Sequence, residues 1–163
     1  LVHINGIVEM SGVDKKFINF EVTESISAAS YEIMNSTIND LKHEGFLFSM
    51  DDYGTGYSNI SRAVNMPLSV IKLDKSITKI EKNTRLYSIG ENTVRMIKDM
   101  NMQIVVEGIE DERTLQLFED MGCDFIQGFY FSKPLPKKEF IEFIMKNKGI
   151  EPTGKNYEEQ VNA

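Results

Sequence analysis

Glu21, Asp51, Asp52, Lys72, Glu107 and Gln127 could bind, polarise or move protons, and each stands at or near the end of a short apolar run. The runs are Ile18–Glu24, Phe46–Asp52, Val70–Asp74, Gln103–Glu107 and Phe125–Gln127. The four carboxylates offer oxygen ligands without histidine or thiolate, a set that suits Mg²⁺ or Mn²⁺ better than zinc or copper. Two such ions about 3.5–4 Å apart can activate water and stabilise both oxygens of an in-line displacement at phosphorus. Adjacent aspartates at a strand end diverge, so one could bridge two ions while the other binds one. Lys72 could balance charge on the phosphate or the attacking water. The plainer alternative is an ordinary ion pair between Lys72 and Asp74. Gly54 and Gly56 permit a tight loop close to a ligand.

These residues can act together only if the elements bring them together. Side chains on a strand alternate between faces. Ile18, Phe20 and Val22 therefore oppose Asn19, Glu21 and Thr23, and Phe46, Phe48 and Met50 oppose Leu47, Ser49 and Asp51. Ile71 and Leu73 likewise oppose Lys72, and Ile104 and Val106 oppose Glu107. Parity alone fits either a convergent site or a wet face of an antiparallel sheet.

The segments between the runs decide. Ala29–Glu44 carries Met34, Ile38 and Leu41 at helical spacing, with Gly45 placed to end the helix. Further helices are expected over Thr84–Met100, Glu112–Met121 and Lys137–Lys146, their Met and Phe stripes serving as core. Leu1–Met10 reads as the end of an apolar helix. Strands alternating with helices predict βαβ units and a parallel sheet, normally covered on both faces. The expected fold class is α/β: about five parallel strand–helix units, part of a TIM-like (β/α) barrel. In such a barrel the site lies at the C-terminal strand ends, where these polar residues stand.

The 163 residues, 41% of them hydrophobic, suffice for one domain with a sizeable core. A closed eight-stranded barrel needs about 250 residues, so the chain reads as a piece of something larger. Residues 1–150 are expected to form the domain and 151–163 a polar, frayed tail. No run approaches the roughly 18 apolar residues of a membrane span. A net charge of −7 argues against a general nucleic-acid or anionic-membrane surface. The single Cys123 excludes an internal disulfide, fits a reducing, cytoplasmic compartment, and reads as a packed small hydrophobe. His3 and His43 lack ligand spacing and read as surface residues.

The stretches FEVTES (20–25), DDYGTGYSNIS (51–61), IKLDKSI (71–77), VVEGIE (105–110) and GCDFIQGFYFSKPLP (122–136) resemble the EAL domains that hydrolyse cyclic di-GMP in bacterial signalling. The resemblance runs to about Lys148 and covers roughly the C-terminal two-thirds of that domain. It implies that Glu21 and Asp51 are metal ligands, with Asp51 bridging to a second ion that Asp52 also holds. It implies that Glu107 is a second-metal ligand or a proton acceptor, that Lys72 lies beside the nucleophilic water, and that Gln127 orients the site. Glu24 resembles the glutamate anchoring the loop from Asp52 to Ser58, which in the family couples metal binding, substrate binding and dimerisation. Tyr53 and Val106 replace the commoner Phe and Ala.

The Glu-Ala-Leu motif itself and the family's upstream asparagine ligand have no counterpart in these residues. Two readings follow. One is a Mg²⁺- or Mn²⁺-dependent phosphodiesterase opening cyclic di-GMP to linear pGpG, complete only in a longer signalling protein or with a partner copy. The other is a noncatalytic module for cyclic di-GMP binding or dimerisation. By itself the chain is expected to hydrolyse the dinucleotide poorly or not at all, and to associate as a homodimer or with the remainder of a longer protein.

Overall fold

The computed structural model describes residues 2–23, 28–54 and 60–148. Residues 1–130 form one compact unit and 131–163 a second. The first holds helix α1 (Val2–Ser11), strand β1 (Asn19–Thr23), α2 (Ala28–His43), β2 (Leu47–Tyr53), α3 (Ile60–Asn65), β3 (Val70–Leu73), α4 (Arg85–Asp99), β4 (Gln103–Val106), α5 (Glu112–Asp120) and β5 (Phe125–Ile126). The described part of the second contains α6 (Lys137–Asn147).

The strands form one parallel sheet in the order β1-β2-β3-β4-β5. Each strand thus lies beside the next in sequence, as repeated βαβ crossovers require. The structure bears out the expected α/β architecture of five parallel strands alternating with helices. The sequence pattern gives no sign of α3, because six residues are too short to show a periodic stripe. The helix ends at Asn65, shortly before Pro67.

Local sequence explains where the helices begin and stop. Thr84 caps α4 by accepting the Tyr87 N–H at 3.1 Å, and Asp111 caps α5 by accepting the Thr114 N–H at 2.8 Å. After α2, Gly45 takes a φ of 102°, a conformation that carries little penalty only without a Cβ. No described helix is long and apolar enough to cross a membrane.

The buried face of the sheet carries Val22, Phe48, Met50, Ile71, Leu73, Ile104 and Val106. They pack with Ile38 and Leu41 of α2, Val94 and Ile97 of α4, and Leu117 and Phe118 of α5. The opposite face bears the polar set. It is not covered evenly among the described residues: Ser49 is fully buried there, whereas Leu47 and Phe125 are 40% and 52% exposed. The expectation that a parallel sheet is closed on both faces therefore holds for one face only.

Candidate active site

Register brings the candidates together. Glu21 lies opposite Ser49, two pairs before Thr23 meets Asp51 on the same face, and Lys72 pairs with Val105, two residues before Glu107. The Glu107 N–H continues the ladder by donating to the Leu73 carbonyl at 3.0 Å. From the middle of these strand ends the Lys72 ammonium reaches three carboxylates. Nζ lies 2.6 Å from Glu21 Oε1, 2.9 Å from Asp51 Oδ1 and 2.8 Å from Glu107 Oε1. The lysine side chain is 13% exposed, against 21% for Asp51, 22% for Glu107 and 46% for Glu21. Burial disfavours the charged amine, but the hydrogen bonds to Glu107, Glu21 and Asp51 outweigh it, so its pKa rises above the usual lysine value. Lys72 is a cation throughout the physiological range.

Asp74 is not the partner of Lys72 that simple spacing offered. It caps the 3-10 turn Lys75–Thr78, accepting the Ser76 N–H at 2.8 Å, and that bond lowers its pKa. The chain therefore uses Asp74 for shape and leaves Lys72 to the three carboxylates.

The paired aspartates are separated by a device that alternation could not reveal. Met50 pairs with Ile71 and Tyr53 with Leu73, so β2 carries one extra residue between those pairs. Met50 and Tyr53 are both buried as a result, with Asp51 and Asp52 between them. Asp52 adopts a φ of 56°, within the left-handed region that aspartate tolerates better than most residues. It is exposed, and Gly54 follows with a φ of 103°. The bulge is how neighbouring carboxylates come to diverge. Glu24, Gly56 and the rest of the proposed anchor loop lie outside the described residues, apart from Asp52–Gly54.

Gln127 follows β5 and is exposed. Its N–H donates to the Val106 carbonyl at 2.8 Å, and its carbonyl accepts from Ile109 N–H at 3.1 Å. These bonds fix its backbone beside Glu107. The next residue leaves no room for a side chain: a Cβ on Gly128 would lie 1.9 Å from the Ile109 carbonyl oxygen. Gly128→Ala is therefore expected to destabilise the protein by about 1–3 kcal/mol, as overpacking does, because backbone must move. Urea unfolding would measure this, and an unchanged midpoint would contradict the packing seen at Ile109.

Cys123 is half-buried, and burial pushes its thiol up to about 12, which disfavours the thiolate at neutral pH. His3 and His43 are exposed, as expected. A cleft of about 810 Å³ that spacing gave no hint of opens between Asp74–Lys82 and Gly108–Thr114, beside the strand ends. Lys75, Lys79, Lys82 and Arg113 line it together with Asp74, Glu81, Glu110 and Asp111, so its formal charges cancel.

Among the described residues, no group of three or more His, Cys, Asp or Glu is arranged to hold a metal ion. The donor chemistry nevertheless fits one. Three carboxylates converge on a single cationic centre at 2.6–2.9 Å, and every donor there is an oxygen, as hard divalent cations prefer.

A parallel strand–helix sheet with its charged residues gathered at the C-terminal strand ends defines a (β/α) domain. The EAL domain family matches residues 2–134, and the chain belongs to that family. It is 34% identical over 130 residues to the cyclic di-GMP phosphodiesterase RocR of Pseudomonas aeruginosa, covering 77% of this chain and 32% of RocR. The EAL domain of Mycobacterium smegmatis DcpA superposes with a TM-score of 0.80 at 29% identity, over 91% of this chain and 66% of that one. Klebsiella pneumoniae BlrP1, solved with calcium and cyclic di-GMP, gives 0.72 at 25% identity, over 80% and 34%. The chain spans 16–23% of the length of other curated relatives. The neighbours' shared fold is the TIM-barrel-like one expected from the strand–helix alternation.

Proposed function

We propose that the cluster at the ends of β1, β2, β3 and β4 is the working part of a divalent-metal-dependent phosphodiesterase site for cyclic di-GMP. The convergence of Glu21, Asp51 and Glu107 on Lys72 carries the reading, since a sheet needing only stability has no use for three carboxylates around one partly buried amine. Membership of the family, and the cyclic di-GMP phosphodiesterase named among its relatives, support the substrate.

In this reading Glu21 and Asp51 would hold Mg²⁺ or Mn²⁺, Asp51 and Asp52 would help hold a second ion, and Glu107 would ligate that ion or accept a proton. A divalent ion bound there supplies Lewis-acid polarisation of the phosphoryl oxygen and acidifies water. Lys72 offsets negative charge on the phosphodiester and orients the attacking water at Nζ. Gln127 presents an amide to the same strand end. Glu24 anchors the segment that begins at Asp52. Three or four carboxylates against one lysine leave the site anionic, so a phosphodiester approaches productively only once cations offset that charge.

The noncatalytic reading is favoured by one observation: the described carboxylates surround an ammonium rather than an arrangement ready for metal. Product analysis separates the two. Incubation with cyclic di-GMP and Mn²⁺ should yield slow accumulation of linear pGpG. Asp51→Asn should abolish it. Nucleotide binding without any product at long times would select the binding module, and product formation indifferent to Asp51→Asn would overturn the site.

Association belongs to the same proposal. Among the described residues β1 pairs only with β2 and β5 only with β4, and Leu47 and Phe125 are exposed on the face that carries the site. Free strand edges and exposed apolar side chains favour pairing with another copy or with further chain. Light scattering should report more than the 18.6 kDa of one copy. A monodisperse 18.6 kDa monomer would count against self-association.

A further inference from the structure

One polar pair on the site face has no part in the chemistry above. Asn19 opens β1, and its side-chain Nδ2 donates to Ser49 Oγ at 2.9 Å. Ser49 is the one fully buried polar residue of the described core. In the register Asn19 faces Leu47 and Ser49 faces Glu21, so the bond runs diagonally from the start of β1 to the middle of β2. Its two ends bracket the cluster from below: Asn19 is two residues before Glu21 on one strand, and Ser49 two before Asp51 on the next. All four residues share a sheet face.

We propose that Asn19 and Ser49 are positioning residues, and that their hydrogen bond fixes the offset between the Glu21 and Asp51 carboxylates. Among the four strands whose ends carry Glu21, Asp51, Lys72 and Glu107, the physical need is specific to β1. That strand is held by backbone bonds to β2 alone among the described residues, whereas β2, β3 and β4 are each held on both sides. A five-residue strand with one neighbour can shear or fray, and Glu21 rides near its end. A side-chain tie across β1 and β2, shielded from water at Ser49, resists that motion where it would separate Glu21 from Asp51. The role rests on the proposed metal-dependent reading for its functional consequence, but not for the geometry it maintains.

Ser49→Ala, Asn19→Ala and the double variant, in the full chain, test it by calorimetric titration with Mn²⁺. Circular dichroism verifies the fold of each. If the bond acts as a unit, each single variant should bind Mn²⁺ about three- to tenfold more weakly, as loss of one partly shielded hydrogen bond implies. The double variant should then be no weaker than either single one. Thermal melts that fall while Mn²⁺ affinity stays at the wild-type value would assign the pair a merely structural role and overturn the proposal. Losses that multiply in the double variant would overturn it too, because the residues would then act independently.

If the wild-type chain itself binds no Mn²⁺, the metal reading fails and the positioning role is read from the amine directly. A Lys72 ammonium held by three carboxylates should give a slowly exchanging ¹⁵N–¹H signal, identified by its loss in Lys72→Arg. Weakening of that signal in Ser49→Ala and Asn19→Ala supports the proposal, and its persistence in both refutes it.

Discussion

Lys72→Ala is expected to lower any metal-dependent turnover by about 10²–10³-fold, the scale of losing one preorganised electrostatic contact to the reacting group. It should also destabilise the fold. The variant leaves Glu21, Asp51 and Glu107 facing one another without the cation that now lies within 2.9 Å of each. Fully buried pairs lose about 3–5 kcal/mol when one partner is removed. Solvent reaches a fifth to nearly half of these carboxylates, so about 1–2 kcal/mol is the fitting expectation. The pH dependence has a definite sign. The raised folded-state pKa of Lys72 means its stabilisation is complete below the ordinary lysine value and fades as pH rises through the folded one. The stability gap between wild type and variant should thus hold through neutral pH and narrow as pH rises beyond the ordinary lysine value of about 10. Urea titrations from neutral to alkaline pH would show it. A gap independent of pH would mean that the cluster contributes nothing electrostatically.

Phe118→Ala should have the largest effect on folding. The ring is fully buried near the end of α5, in the core cluster that also holds Ile71 and Leu73 of β3 and Ile104 and Val106 of β4. Removing such a ring costs about 3–5 kcal/mol in lost transfer energy and cavity formation. Domains have only about 5–15 kcal/mol in total, so a large unfolded population is expected at 37 °C. Phe118→Leu, which keeps most of the volume, should retain the fold. Near-equal denaturation midpoints for wild type and Phe118→Ala would contradict the core described here.

The site was legible in the sequence to the extent that strand alternation is regular. Period two put Glu21, Asp51, Lys72 and Glu107 on one face, and the structure joins Glu21, Asp51 and Glu107 to Lys72. Alternation fails where the backbone departs from it. The extra residue in β2 lets Met50 and Tyr53 both turn inward, and only the left-handed Asp52 reveals it. Asp74 was ambiguous for another reason. An aspartate one residue past a strand can pair with a lysine or cap a turn, and spacing cannot rank the two. Ser49 gave no signal either, since its role depends on Asn19, thirty positions away in the chain. Periodicity located α2, α4, α5 and α6 to within about two residues at each end, and missed the six-residue α3.

Equilibrium binding of cyclic di-GMP with and without Mn²⁺, for the wild-type chain and Asp51→Asn, tests the central claim most directly. The account predicts nucleotide binding that needs the metal and is lost in Asp51→Asn, a variant that should keep its fold because only one oxygen has been exchanged for an amide. Equal affinity in all four conditions would contradict it: the carboxylates around Lys72 would then hold the strand ends together and take no part in recognising a phosphodiester.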